Sequence, residues 1–326
     1  MTGRPGPGAQ AAGPSSRAAL ERQNLEQAWQ QVRANRGAPG VDEVTIARWE
    51  RNWQENLDRL SHLVRTNTYH PNRPRRFRIV KPDGGWRELS ILTVSDRVLQ
   101  RAVLNVMMPA FERLFLEGSY GYRPERGVAQ AVDTVLRARD RGFLWVFDAD
   151  IDNCFDSLDH DLILSELRQV VTNVTLLRLV ELWLEAGRSP KTKPKIDHEP
   201  RRKGVPLGAV ISPLLCNVAL HRLDAELERT GWPWARYADD FVVLTRSRAE
   251  GMEAWRLVEA ALAELRLRLE PAKTWVRSFE QGFKFLGVTF KGDSYEFVHS
   301  GKRFVVHGRN VSVLSQHPPE GYGWEW

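Results

Sequence analysis

Acidic side chains concentrate in two short segments of this 326-residue chain. One segment runs from Asp148 to Asp156 and reads DADIDNCFD, and the other is the YADD run from Tyr237 to Asp240. Two adjacent aspartates at the end of an apolar hairpin repel each other unless a cation compensates their charge. Magnesium prefers carboxylate oxygens and is usually completed by substrate phosphates. Together the two segments predict a two-metal site for nucleotidyl transfer.

Each acidic segment has a simpler interpretation when it is taken alone. Asp239 and Asp240 could serve only the geometry of a turn, which aspartate tolerates well. Asp156 or Asp159 could cap a helix. The metal site is favoured because two separate strands each bring carboxylates out of apolar segments, with basic stretches before and between them.

Strands are needed to position these carboxylates. Residues 144–151 predict a strand that ends in the first acidic segment, and residues 234–245 predict a hairpin with the YADD run at its turn. A second hairpin, around an Asp-Gly-Gly turn, is predicted over 77–92, and a further strand over 284–290. Helices are predicted over 94–116, 158–186, 210–229 and 249–266. Because helices and strands mix without regular βαβ alternation, we expect the α+β class.

Composition narrows the class of partner and the compartment. Forty-seven Lys and Arg residues against 41 Asp and Glu give a net charge of +6, and no acidic residue falls between Arg59 and Lys81. Such clustering favours a polyanionic partner over a merely solvated face. No run approaches the roughly 20 apolar residues that span a bilayer, so no membrane partner is expected. Two cysteines give no disulfide framework, which fits a reducing, cytoplasmic compartment.

At this point the chain resembles reverse transcriptases of the bacterial group II intron-like lineage, over about residues 24–290. The resemblance rests on the YADD run and on further segments in the family's order: Asn35–Asp42, Ser119–Pro124, Asp150–Asp156, Gly204–Asn217, Leu267–Thr274 and Phe283–Gly287. The run from Arg87 to Arg97, RELSILTVSDR, is similar to the branch associated with CRISPR adaptation modules.

The resemblance implies a right-hand polymerase fold with fingers and a palm, a helical N-terminal extension and little or no thumb. We expect a disordered tail over 1–21, the helical extension over 22–65 and the fingers over 66–143. The palm would cover 144–290, with an inserted fingers segment at about 160–205, and a short C-terminal tail or reduced thumb would cover 291–326. The residues after Gly287 are too few for the helical thumb and maturase region of intron enzymes. We therefore expect a partner protein to supply the clamp, the thumb to be reduced, or the sequence to be truncated after the palm.

The resemblance also implies roles for individual residues. Asp150, Asp239 and Asp240 would hold two Mg²⁺ ions, or Mn²⁺ in their place, with the Ile151 backbone beside them. Phe155 stands where the family places the aromatic gate that rejects a ribose 2′-hydroxyl. Lys81 and Arg87 would bind the triphosphate, and Leu207 and Gly208 would contact the nucleotide. Lys273 would assist proton delivery to the pyrophosphate. Tyr237 and Ala238 belong to the signature motif, and the primer grip would be formed by Phe285, Leu286 and Gly287.

One departure from the family pattern is Leu207, which stands where glutamine is usual and cannot make its hydrogen bonds. The implied function is RNA-directed DNA polymerisation with dNTPs on an RNA template with a DNA or RNA primer. It would serve CRISPR adaptation or another bacterial defence system, with an integrase complex as partner. The alternatives are non-templated or protein-primed synthesis by a polymerase of the same lineage, and a weakly active nucleic-acid-binding scaffold.

Overall fold

The computed structural model describes residues 13–80, 86–187 and 202–319, without the side chain of Arg87. The chain divides into two compact units. Unit 1 comprises Met1–Arg113 with Leu164–Ala186, and unit 2 comprises Leu114–Ile163 with Gly187–Trp326. Helices and strands mix in both, which confirms the α+β class. None of the described helices is long and apolar enough to cross a membrane.

Unit 1 is mainly helical and carries one two-stranded antiparallel ribbon. Its elements are α1 (Ser16–Ala19), α2 (Arg22–Ala34), α3 (Ile46–Glu50), α4 (Trp53–Arg65), β1 (Arg75–Val80), β2 (Trp86–Ile91), α5 (Val94–Glu112) and most of α8 (His160–Val170) and α9 (Val174–Gly187). The predicted helical extension and hairpin are therefore present. Thr93 caps α5, since its side chain accepts a hydrogen bond from the Asp96 N–H.

The expected disordered tail over 1–21 is wrong for the part of it that begins helix α1. The Ser15 side chain accepts a hydrogen bond from the Ala18 N–H and so caps this helix. Ala19 and Leu20 are buried, and α1 packs against α2 and α5. The small side chains that looked unable to order themselves are ordered by this tertiary packing. Residues 1–12 lie outside the described part of the chain.

Unit 2 is built on a four-stranded antiparallel sheet in the order β4-β5-β3-β6. Its strands are β3 (Trp145–Asp150), β4 (Trp234–Tyr237), β5 (Asp240–Thr245) and β6 (Trp275–Ser278). Apart from Asp240, every residue of β5 is buried, because this strand has a neighbour on each edge and is apolar on both faces. The sheet therefore presents its acidic residues at one end of two central strands.

Unit 2 also contains helices α6 (Val128–Asp140), α7 (Cys154–Ser157), α10 (Ser212–Arg229) and α11 (Arg248–Glu264). The expected fingers segment 66–143 is divided differently, because residues after Arg113 belong to unit 2. Helix α6 packs its apolar face on β4 and β5 and shares their buried core, which explains the difference.

A second four-stranded sheet of unit 2 has the order β10-β9-β8-β7. Its strands are β7 (Phe283–Phe285), β8 (Val288–Lys291), β9 (Ser294–His299) and β10 (Lys302–His307), and α12 (Ser312–Gln316) packs on α6. The single strand predicted at 284–290 is wrong, because the chain turns at Leu286 and Gly287 with φ of 50° and 75°. Of the expected short C-terminal tail or reduced thumb over 291–326, the plain tail is wrong for 294–316, because Tyr295, Phe297 and Leu314 are buried in the core. The reduced thumb stays a prediction.

Candidate active site

The β4-β5-β3-β6 sheet brings both acidic segments to one place. β3 and β5 pair so that Asp150 faces Asp240, and β4 pairs with β5 so that Tyr237 faces Asp240. Directly opposed residues of an antiparallel pair project to the same face with Cβ atoms about 5 Å apart. Asp239 lies in the two-residue loop between β4 and β5. The three carboxylates that the sequence predicted to act together are therefore neighbours.

A concentration of negative charge marks this end of the sheet. Burial and the neighbouring carboxylates of Asp148, Asp239 and Asp150 raise the pKa of Asp240 well above its ordinary value, against a lowering effect of Lys273. Burial, offset by Arg277, raises the pKa of Asp148 to about 7. Carboxylates crowd together in this way where a cation stabilises them.

One cation already contacts the cluster. The Lys273 Nζ lies 2.6 Å from Asp150 Oδ2, and the Lys273 side chain is 53% exposed. Among the residues that the structure describes, no three acidic, histidine or cysteine side chains form a ready-made metal cage. The donor set nevertheless fits Mg²⁺, which binds through one or two carboxylates and completes its shell with water and substrate phosphates.

A buried arginine, Arg236, hydrogen-bonds to the turn that carries Asp239. Ala238 adopts a φ of 61°, a left-handed conformation that is costly for a residue with a Cβ. The Arg236 Nη1 donates to the Ala238 carbonyl oxygen at 2.9 Å and to Asn217 Oδ1 at the same distance. Two further bonds of 2.6 Å join Arg236 to the carboxylate of Asp224. Both partners of this ion pair are fully buried.

The segment 118–123 runs alongside β4 and supports the same turn. The Arg236 N–H donates to the Gly118 carbonyl, and the Tyr120 N–H donates to the Arg236 carbonyl, each at 2.8 Å. A Cβ added at Gly121 would lie 2.4 Å from the Ala238 nitrogen, so only glycine fits there. The motif that resembled a lineage signature is therefore a structural neighbour of the YADD turn.

Residues after β3 place an aromatic ring near the carboxylates. Strand β3 ends at Asp150, and Asn153, at a φ of 45°, directly precedes α7, which carries the half-buried Phe155. The Phe155 ring lies edge-on to Tyr122, with 6.4 Å between ring centroids. Ile151 is buried and bridges to Leu269, so that only its backbone can face a ligand.

The expected nucleotide-contact residues Leu207 and Gly208 and the expected primer grip at Leu286 and Gly287 lie in turns of unit 2. The Ala209 N–H donates to the Pro206 carbonyl at 3.1 Å, and Gly208 has a φ of 99° inside that turn, with Leu207 half-buried beside it. At the expected primer grip, the side chains of Phe285 and Leu286 are both buried. Any contact of this turn with a primer would therefore use its backbone. Lys81 lies outside the described residues, and nothing is described of the Arg87 side chain.

Sequence reasoning missed the residues that support the site. Arg236, Asp224, Asn217 and Tyr122 were given no role, although they surround the YADD turn. A charged arginine inside the apolar run WARY was a usable indication, because a buried charge requires a partner. Asp224 and Asn217 carried no such indication, since they lie on one face of an otherwise ordinary helix.

Comparison with known proteins places this site in a class. Residues 79–290 match the family described as "Reverse transcriptase (RNA-dependent DNA polymerase)". The chain therefore belongs to the reverse transcriptase family, and its enzyme class is RNA-directed DNA polymerase. It is also similar to Protein YkfC of Escherichia coli, with 32% identity over 288 residues that cover 76% of this chain and 74% of YkfC.

Two further similarities concern the lineage and the fold. The group II intron-encoded protein LtrA of Lactococcus lactis is 29% identical over 200 residues, 60% of this chain and 32% of LtrA, which confirms the group II intron-like resemblance. Telomerase from Candida albicans matches 79% of this chain and 50% of its own, with a TM-score of 0.52 and 12% identity, and this likeness concerns the fold alone. A partial Cas6-RT-Cas1–Cas2 complex matches with a TM-score of 0.44 and 26% identity, over 76% of this chain and 41% of that chain.

Proposed function

We propose that this chain copies a primed RNA template into DNA by two-metal nucleotidyl transfer, with Asp150, Asp239 and Asp240 holding the metals. The observation that carries the proposal is the pairing of Asp150 with Asp240 beside the loop that holds Asp239. Bound Mg²⁺, or Mn²⁺, would activate the primer hydroxyl and stabilise the leaving pyrophosphate.

The chain's own residues would orient the nucleotide around these carboxylates. The ring of Phe155 would lie beneath the sugar and leave no room for a 2′-hydroxyl. Lys273, whose ammonium already contacts Asp150, would donate a proton to the leaving pyrophosphate. Leu207 and Gly208 would contact the nucleotide, with the backbone at Gly208 free of a Cβ.

Residues outside the carboxylate cluster would bind the rest of the substrate. Lys81 and Arg87 would bind the triphosphate, since arginine forks onto phosphate oxygens and lysine supplies a point charge. The turn at Leu286 and Gly287 would contact the primer through its backbone.

Primer extension tests the proposal directly. The full chain, an RNA template, a DNA primer, dNTPs and Mg²⁺ should give template-length DNA. Asp240→Asn should give none, whereas Asp293→Asn, an exposed aspartate of the same unit, should match the parent. Mn²⁺ binding in the presence of primer–template, measured by calorimetry, should be weaker in Asp240→Asn alone. Full extension by Asp240→Asn would overturn the metal assignment.

The same assay separates the alternative functions. Product of random sequence that forms without template would indicate non-templated synthesis, and product covalently attached to the protein would indicate protein priming. Tight RNA and metal binding with no product would support the scaffold, for which Leu207 in place of glutamine is the motivating residue.

We also propose that the enzyme works in the bacterial cytoplasm for CRISPR adaptation or a related defence system, together with an integrase complex that completes the primer–template clamp. The support is the resemblance of the Arg87–Arg97 run to that branch. Cells that express the chain with such an integrase should acquire spacers spanning a splice junction that exists only in RNA. Spacers that derive from DNA alone would refute this role.

A further inference from the structure

The ring of Tyr122 contacts the rings of both Phe155 and Tyr237. Its ring centroid lies 6.4 Å from that of Phe155, with the planes at 81°, and 6.3 Å from that of Tyr237, with the planes at 49°. The edge-on contact with Phe155 is favourable because the positive edge of one ring meets the negative face of the other. The ring of Tyr122 therefore stands between the expected sugar gate and the signature motif.

The backbone of Tyr122 is held in a conformation that a large side chain rarely adopts. Its φ of 63° lies in the left-handed region. Such outliers persist where the surrounding structure fixes them, and they concentrate at functional sites.

Hydrogen bonds on both sides of Tyr122 fix that conformation. On one side, the Asn217 Nδ2 donates to the Gly121 carbonyl at 2.8 Å. On the other side, the buried guanidinium of Arg123 donates to the carbonyls of Leu116 and Ser119 at 2.6 and 2.7 Å. The backbone that carries the Tyr122 ring is therefore fixed by hydrogen bonds on both sides.

From this arrangement we propose that Tyr122 is a positioning residue that holds the Phe155 ring and thereby sets discrimination between deoxyribonucleotides and ribonucleotides. The inference rests on the proposed gate role of Phe155. Without the Tyr122 ring, Phe155 gains room to tilt away from the sugar and a 2′-hydroxyl fits. Incorporation of dNTPs changes little, because the metal-holding carboxylates and the turn hydrogen bonds are untouched.

Single-nucleotide extension by the full chain on an RNA template with a DNA primer tests this inference. The measured quantity is the ratio of kcat/KM for a dNTP to that for the matching rNTP. Tyr122→Leu should lower the ratio between about twofold and tenfold, through faster rNTP incorporation. Tyr122→Phe, which keeps the ring, should retain the parent ratio. Tyr120→Phe, a tyrosine of the same segment that loses only its hydroxyl contact with Thr134, should also retain it.

Phe155→Val separates failure of the inference from failure of the proposed gate. This variant should lower the ratio more than Tyr122→Leu, and the double variant should go no further than Phe155→Val. If Phe155→Val lowers the ratio and Tyr122→Leu does not, Tyr122 has no positioning role while the gate stands. If Phe155→Val leaves the ratio unchanged, the gate and this inference both fail. Tyr122→Met provides the same test should the leucine variant not fold, and equal loss for both sugars would indicate a purely structural role.

Discussion

Removing the counter-ion of Arg236 should destabilise the protein more than any surface change. Asp224→Asn keeps the shape and one acceptor of the carboxylate but leaves the guanidinium charge without compensation. Both side chains are fully buried, and two bonds of 2.6 Å join them. Breaking a buried pair from one side costs about 3–5 kcal/mol, because the remaining charge stays out of water. Urea unfolding followed by tryptophan fluorescence measures this loss as a lower midpoint.

An apolar replacement of both partners distinguishes stability from turn geometry. The double variant Asp224→Leu, Arg236→Met leaves no buried charge, so we expect its free energy of unfolding to return to within about 2 kcal/mol of the parent. Primer extension should not return with it, because the Ala238 carbonyl loses the donor at 2.9 Å. Recovery of extension together with stability would refute the claim that Arg236 holds the turn. A loss below about 1 kcal/mol in Asp224→Asn would refute the buried charge itself.

Three further predictions test the site and its supports. Gly121→Ala puts a Cβ 2.4 Å from the Ala238 nitrogen, so it should lower the free energy of unfolding in urea by about 1–3 kcal/mol and abolish primer extension. An unchanged urea midpoint would contradict the close approach. Lys273→Gln removes an exposed ion pair with Asp150, so the free energy of unfolding should change by less than about 1 kcal/mol. Single-turnover nucleotide incorporation should slow by about 100-fold or more, because the proton donor is lost. An unchanged rate would exclude proton delivery by Lys273. Burial raises the pKa of Asp96 in the folded protein above its ordinary value of 3.8. The contribution of Asp96 to folding stability is therefore fully present below pH 3.8 and is lost as the pH rises through the raised, folded-state pKa. The stability of the parent relative to Asp96→Asn should therefore fall with rising pH in urea titrations, and a constant difference would refute the shift.

The catalytic strands could be predicted from sequence because their pattern is local. The strand before Asp150 and the hairpin around Asp239 are apolar runs interrupted by carboxylates, and the structure has both. Which residues support them could not be predicted, because Asp224 and Arg236 lie on different elements and meet only after the sheet has formed. The left-handed backbone of Tyr122 is equally invisible, since nothing in its neighbours' types demands a positive φ there.

The second sheet was missed for a different reason. Strands β9 and β10 alternate apolar and polar residues around a Ser-Gly turn, with Tyr295 and Phe297 on the buried face. That alternation is a usable indication of a hairpin. At Leu286 the difficulty was physical, because a leucine at a φ of 50° gives no sign of a turn until its side chain has a core to enter.

The buried ion pair beneath the YADD turn is better explained by geometry than by stability. Burying Arg236 and Asp224 incurs desolvation that apolar residues of similar volume would avoid. An apolar core, however, cannot hold a backbone carbonyl in place, whereas the guanidinium has five donors in a rigid fork. Arg236 uses that fork to join the Asp224 carboxylate, Asn217, Ser119 and the Ala238 carbonyl at once. Because the left-handed conformation is costly for Ala238, this fixed donor, together with the segment 118–123, helps to keep Asp239 next to the Asp150–Asp240 pair. The buried ion pair therefore follows from the demands of the site.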